Sequence, residues 1–186
     1  YTKKQLLSSL LLIGFTFLIG LQSIVLNVPA STLFSPKSLS ILYNLTAILI
    51  PVFLTNYYLL RTKKYQHYYL YGVGSQITLL TVGTFCIAIG KLSLPIAMQI
   101  FSGFNVFMTL YTSAIALAES ADQNRFYTIC SPGIIMAAFV HCFFYIQLFT
   151  GAANLTTDWP LVLFTALMLL ISGYHFEEEI NYIRNY

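Results

Sequence analysis

The sequence predicts an all-α fold: a polytopic membrane protein with a six-helix transmembrane bundle and cytoplasmic N and C termini. The first observation behind this prediction is composition, with 58% hydrophobic and 8% charged residues and a mean hydropathy of +0.74. A soluble domain carries about 25% charged residues. The second observation is a set of six long apolar segments, and the third is the distribution of basic residues between them.

Each of the six apolar segments has roughly the 20 residues that a helix needs to cross about 30 Å of hydrocarbon. Helices are expected because backbone polar groups in lipid must be satisfied within their own segment or in a closed barrel. Alternating strands of barrel length are absent from the sequence. We expect one domain over residues 1–186, with spans at about 6–28, 39–60, 69–89, 92–117, 126–149 and 159–175.

Basic residues favour one side of this bundle. The loops and terminus on the N-terminal side contain Lys3, Lys4, Arg61, Lys63, Lys64, Arg125 and Arg184, whereas the other side contains Lys37 and Lys91. Cytoplasmic segments carry the excess of Lys and Arg. Both termini are therefore predicted to be cytoplasmic, in a plasma membrane or an inner membrane.

Charged chemistry is missing from the middle of the predicted spans. The acidic residues lie at span ends or in loops, and His141 is the one histidine deep in a span. It is either a proton-coupling or ligand-binding group, or a histidine hydrogen-bonded between helices. The three histidines share no metal-ligand spacing. We therefore predict no enzyme activity, no catalytic residues, no metal, no cofactor and no nucleic-acid partner.

Uncharged polar residues do occur inside the spans. A stripe on span 4 recurs at steps of three and four, which places it on one helical face; it comprises Gln99, Ser102, Asn105, Thr109 and Ser113. Span 1 has a weaker stripe ending at Asn27, and Gln22, Asn44 and Gln76 are scattered amides. Such residues either join helices in lipid or line a polar cavity. The candidate cavity-lining residues are Asn27, Gln99, Ser102, Asn105, Thr109 and His141.

Three stretches, at Arg61 and Lys64, from Gln99 to Glu119 and at Asp158-Trp-Pro160, carry a family resemblance. Together they resemble the N-terminal six-helix half of a major facilitator superfamily transporter of the drug:proton antiporter type. Arg61 and Lys64 match the basic positions of that family's loop between spans 2 and 3. The stretch from Gln99 to Glu119 is similar to its span 4, although Gln99 stands where the family has an arginine. Asp158-Trp-Pro160 looks like its entry to span 6, and the glycine-rich signature of span 5 is missing.

This resemblance implies transport of a small solute, with substrate bound near the bilayer midplane between two six-helix halves. The second half would come from a further stretch of the chain or from a membrane partner chain. Because the family's charged motif residues are replaced, proton coupling by its usual groups is not expected. The alternative hypothesis is a non-catalytic structural or assembly subunit of a larger membrane complex, whose partners are lipid and other membrane chains.

Overall fold

The computed structural model of the chain describes residues 3–26, 34–150 and 159–184. These residues form six α-helices of between 23 and 28 residues, and the described ranges contain no strand. The helices are α1 (Lys3–Leu26), α2 (Pro36–Arg61), α3 (Gln66–Ala88), α4 (Leu94–Ala121), α5 (Arg125–Thr150) and α6 (Trp159–Arg184).

All six helices are long and apolar enough to cross a membrane. The predicted all-helical class is thus confirmed, and the fold is consistent with a multi-pass membrane protein. Every predicted span overlaps one helix; Ile89, Leu92 and Ser93 fall in the turn between α3 and α4, and positions 27 and 28 lie outside the described residues. The largest difference is at α6, which continues nine residues past the predicted span end at His175. Polar residues end a hydrophobic span without ending the helical hydrogen bonds.

Helix α2 has one proline at its start and another in its interior. Ser35 is its N-cap, and the Ser35 hydroxyl accepts a hydrogen bond from the backbone N–H of Ser38. Pro36 follows at the first helical position, where its missing N–H costs no hydrogen bond. Pro51 lies inside the helix. A proline there removes one backbone hydrogen bond and opens the preceding turn.

Two turns between helices have the same backbone geometry. After α3, Gly90 has a φ of +70°, and the N–H of Lys91 donates to the carbonyl of Cys86. After α4, Gln123 has a φ of 58°, and the N–H of Asn124 donates to the carbonyl of Glu119. This pairing across six residues is the Schellman motif, which satisfies the last carbonyls of a helix. A tight turn at Gly90-Lys91 thus joins α3 to α4.

The chain divides into two compact units, residues 1–112 and 113–186, with the division inside α4. In unit 1, α1 packs on α2, and α2 packs on α3. A Cβ added at Gly14 of α1 would overlap the ring of Phe53 on α2, so the absence of a side chain permits this close approach. A Cβ at Gly83 of α3 would similarly overlap the ring of Phe101 on α4. The expectation of a single domain stays a prediction.

In unit 2, α5 packs on α6. The buried face of α6 carries Phe164, Leu167, Ile171 and Tyr174, which recur at helical spacing. The ring of Tyr174 contacts that of Phe126 on α5 edge-on, at a centroid distance of 5.2 Å. Close packing of apolar side chains thus holds this helix pair together.

Candidate functional site: a polar cluster in unit 1

Three uncharged polar side chains meet in the interior of unit 1, one from each of α2, α3 and α4. The Nε2 of Gln76 donates to the Oδ1 of Asn105 at 3.1 Å. The Nδ2 of Asn105 donates to the carbonyl of Ile48 at 3.4 Å. The hydroxyl of Thr55 lies 3.2 Å from the Oε1 of Gln76 and also within reach of the Pro51 carbonyl. Thr55, Gln76 and Asn105 are hereafter the amide cluster.

The amide cluster lies far from the ends of its helices. At 1.5 Å per residue, Gln76 is about 15 Å from the first residue of α3 and about 18 Å from its last. Asn105 is about 17 Å from the start of α4, and Ile48 about 18 Å from the start of α2. These distances correspond to the middle of a bilayer about 30 Å thick.

Pro51 lies close to the part of the α2 backbone that takes part in this network. The proline has no N–H for the carbonyl four residues earlier, and its ring opens the turn that precedes it. Ile48 lies in that turn, and its carbonyl accepts the amide of Asn105. The hydroxyl of Thr55 reaches back to the Pro51 carbonyl from the following turn. The carbonyl that loses its helical donor is that of Ala47, so the amide cluster lies next to the missing bond and does not replace it.

The surroundings of the amide cluster are dry. Gln76 is 1% exposed, and Thr55 and Asn105 are each 3% exposed. Next to them, Ile48, Ala97 and Phe101 form a buried apolar group. A low dielectric strengthens each hydrogen bond and raises the cost of leaving one unmade. In chemical terms the cluster offers neutral donors and acceptors and no formal charge.

The predicted cavity-lining residues are only partly brought together. Asn105 is in the amide cluster, Ser102 is half-buried, and Thr109 donates to the carbonyl of Val106 in its own helix. Gln99 is exposed. Two side chains six residues apart point about 120° away from each other around the helix axis. Gln99 and Asn105 therefore lie at opposite edges of the stripe. That these residues line a cavity stays a prediction.

The other two predicted residues lie elsewhere. Asn27 falls outside the described residues. His141 is buried in unit 2, where its ring contacts Phe164 of α6 edge-on at a centroid distance of 5.7 Å. Within the described ranges, no group of three or more potential ligands is placed to hold a metal ion.

Two members of the amide cluster were not among the predicted site residues. Gln76 was noted only as one of several scattered amides, and Thr55 carries no signal beyond its position in a span. A usable signal was depth, because Gln76 and Asn105 both lie near the middle of their apolar segments. Pro51, three residues after Ile48 in a predicted span, marks the backbone that joins them.

Two polar side-chain pairs of unit 2 lie at the turn between α4 and α5 and in the polar part of α6. The Nδ2 of Asn124 donates to the Oε2 of Glu119 at 2.6 Å, and both residues are buried. Arg125 forms an ion pair with Glu177 at 2.5 Å, and both side chains are more than half exposed. This pair links the first residue of α5 to the far part of α6.

Comparisons with known protein families, curated proteins and solved structures found no match to this chain. The resemblance to the major facilitator superfamily therefore rests on the sequence patterns alone.

Proposed function

We propose that this chain is a membrane transporter, or one half of a transporter of major facilitator type, that moves a small uncharged polar solute. The observation that carries the proposal is the amide cluster: neutral donors and acceptors from three helices, at the depth of the bilayer middle and close to Pro51 of α2. Transporter substrate sites lie near the bilayer midplane.

Transport requires the amide cluster to open. In the described conformation its members bond to one another, so a solute must replace the bond between Gln76 and Asn105. Pro51 offers a point at which α2 can bend, because one backbone hydrogen bond of the helix is missing there. A neutral solute with its own donors and acceptors compensates the two amides, whereas an ion meets no opposite charge. We therefore propose an uncharged polar solute.

The proposal is tested by uptake into vesicles that contain the full chain. Radiolabelled glycerol, xylitol and glucose serve as neutral probes, with potassium and chloride as charged comparisons. We expect protein-dependent uptake of at least one neutral probe, lost in Asn105→Leu and retained in Asn44→Leu. The amide of Asn44 bonds the Ser40 carbonyl of its own helix, which makes it a matched control. Uptake that is equal in protein-free vesicles for every probe contradicts the proposal.

The second candidate function is a non-catalytic structural or assembly subunit. The completeness of the amide cluster favours it, since amides that already bond to each other join helices without any substrate. Under this hypothesis a partner chain co-purifies from native membranes in mild detergent at a fixed ratio. Asn105→Leu then reduces thermal stability or partner recovery, and no neutral probe is taken up.

The proposal includes cytoplasmic termini and a plasma or inner membrane, on the basis of the basic residues. A membrane-impermeant thiol reagent tests the orientation. Applied to intact cells, it should label a cysteine placed at Lys37 and should not label one placed at Lys63. The opposite pattern reverses the orientation.

A further inference from the structure

The outward face of α6 carries an apolar stripe that continues beyond the hydrophobic span. Its members alternate at steps of four and three, and they are Val162, Ala166, Leu169, Gly173, Phe176, Ile180 and Ile183. We refer to these residues as the outer seam. They lie opposite the face that packs on α5, because Ile171 and Gly173 are about 200° apart around the helix. Such a 4–3 repeat over three heptads is the a/d pattern of a coiled coil.

Within unit 2 the outer seam is uncovered. Leu169 is 63% exposed, Phe176 68%, Ile180 41% and Ile183 72%. Lipid can cover the part of the seam inside the hydrocarbon. The last part, from Phe176 onward, is flanked by Glu177, Glu178, Asn181 and Arg184 and extends about 13 Å past His175. In this part of α6 the apolar residues lie among polar ones. An exposed hydrophobic stripe in such surroundings indicates a binding surface.

We propose that the outer seam is a dimer interface, at which α6 of a second copy packs in parallel against α6 of the first. Two copies inserted in the same orientation present their α6 helices in parallel. In a parallel coiled coil, the residue before an a position faces the partner's e position five residues later. Ile180 occupies an a position, so Glu179 of one copy pairs with Arg184 of the second copy. These two side chains are opposite in charge.

The small residues of the outer seam agree with this packing. Ala166 and Gly173 occupy successive a positions, and a Cβ built on Gly173 meets no atom within 4 Å. Small residues at one helix face allow two backbones to approach closely in a membrane. Within its own chain Glu179 lies 3.7 Å from His175, a contact that a rotamer change can exchange for the pair across the dimer. This inference is independent of the transport proposal.

Disulfide trapping of the full chain in phosphatidylcholine vesicles tests the interface. Ile183→Cys places a thiol at a d position, and Asn181→Cys places one two residues away on the polar face. Because a disulfide needs Cα atoms about 5.5–6 Å apart, copper-phenanthroline should convert Ile183→Cys to dimer at least about ten times faster than Asn181→Cys. The unsubstituted chain, with its own Cys86, Cys130 and Cys142, measures the background.

Charge exchange tests the register in the Ile183→Cys background. Glu179→Arg and Arg184→Glu each place like charges across the interface, and each should lower the trapping rate about three- to tenfold. The double variant restores opposite charges and should recover most of the rate. Equal trapping at positions 183 and 181, or no trapping at 183 because lipid covers the seam, overturns the dimer. Failure of the double variant to recover overturns the parallel pairing.

Discussion

The amide cluster of unit 1 and two polar pairs of unit 2 lie at different depths in their helices. In unit 1, Gln76 and Asn105 join α3 and α4 to the backbone of α2 near the middle of the helices. In unit 2, Glu119 pairs with Asn124 at the turn between α4 and α5, and Arg125 pairs with Glu177 in the polar part of α6. The same rule operates in both, since a polar group at mid-membrane must bond within the protein, whereas one at a helix end has water or headgroups available.

This difference has a consequence for specificity. Apolar contacts in lipid gain little from the hydrophobic effect, so helix pairs are held by close packing and by interhelical hydrogen bonds. Unit 1 uses both, with Gly14 against Phe53 and with the amide cluster. In the α5–α6 pair of unit 2, the described contacts are mainly aliphatic and aromatic. We therefore expect polar substitutions to affect the two units unequally.

The largest expected effect is at the close approach of α1 and α2. Gly14→Leu should lower the free energy of unfolding by about 1–3 kcal/mol, because the new side chain overlaps the ring of Phe53. Gly20→Leu is the control on the same helix, since a Cβ there meets no atom within 4 Å. Unfolding in mixed micelles at increasing SDS fraction measures both. Equal losses of unfolding free energy in the two variants would contradict close packing of α1 on α2.

The amide cluster comes next in size. Asn105→Leu should cost about 1.5–2 kcal/mol of unfolding free energy, because it removes two hydrogen bonds in a dry interior. Asn44→Leu should cost far less, because the amide of Asn44 bonds the Ser40 carbonyl of its own helix. A double-mutant cycle with Gln76→Leu should show a coupling of about 0.5–1.5 kcal/mol. Strict additivity of the two substitutions would contradict the network.

The buried pair at the turn between α4 and α5 should have a smaller effect. Asn124→Ala removes the donor to Glu119 and should lower the free energy of unfolding by about 1 kcal/mol. The Schellman backbone bonds of the turn remain, which limits the loss. The appearance of Cys130 reactivity during heating reports on unit 2, because that thiol is buried. An equal shift from Asp122→Ala, an exposed neighbour, would show that the side-chain pair is unimportant.

The smallest expected effect is at the exposed ion pair of unit 2. Arg125→Gln should change the free energy of unfolding by less than about 1 kcal/mol, because solvent screens charges that are more than half exposed. The effect should vanish in about 1 M salt, where the Debye length is about 3 Å. Glu177→Gln should match it, and the double variant should add nothing. A loss of unfolding free energy above about 2 kcal/mol in low salt would show that unit 2 depends on polar pairs as much as unit 1 does.

Two features of the sequence, the depth of a residue within its span and the spacing of polar residues, predict part of the amide cluster. Asn105 was identified because it lies mid-span on a polar stripe, and it belongs to the amide cluster. Gln99 was placed on the same face, but it is exposed, because small rotations accumulate along a helix. Thr55 could not be found this way, since mid-span threonines commonly bond their own helix, as Thr81 and Thr84 do.

The sequence by itself determined that the chain forms six apolar helices and where most of them begin and end. Local chemistry suffices for this, because helical hydrogen bonds close within each segment and hydrophobicity is a property of composition. Tertiary structure alone decided that Gln76 meets Asn105, that Gly14 contacts Phe53, and that the outer seam of α6 is left uncovered. Those contacts join residues far apart in the chain, and their partners depend on how each helix is rotated about its axis.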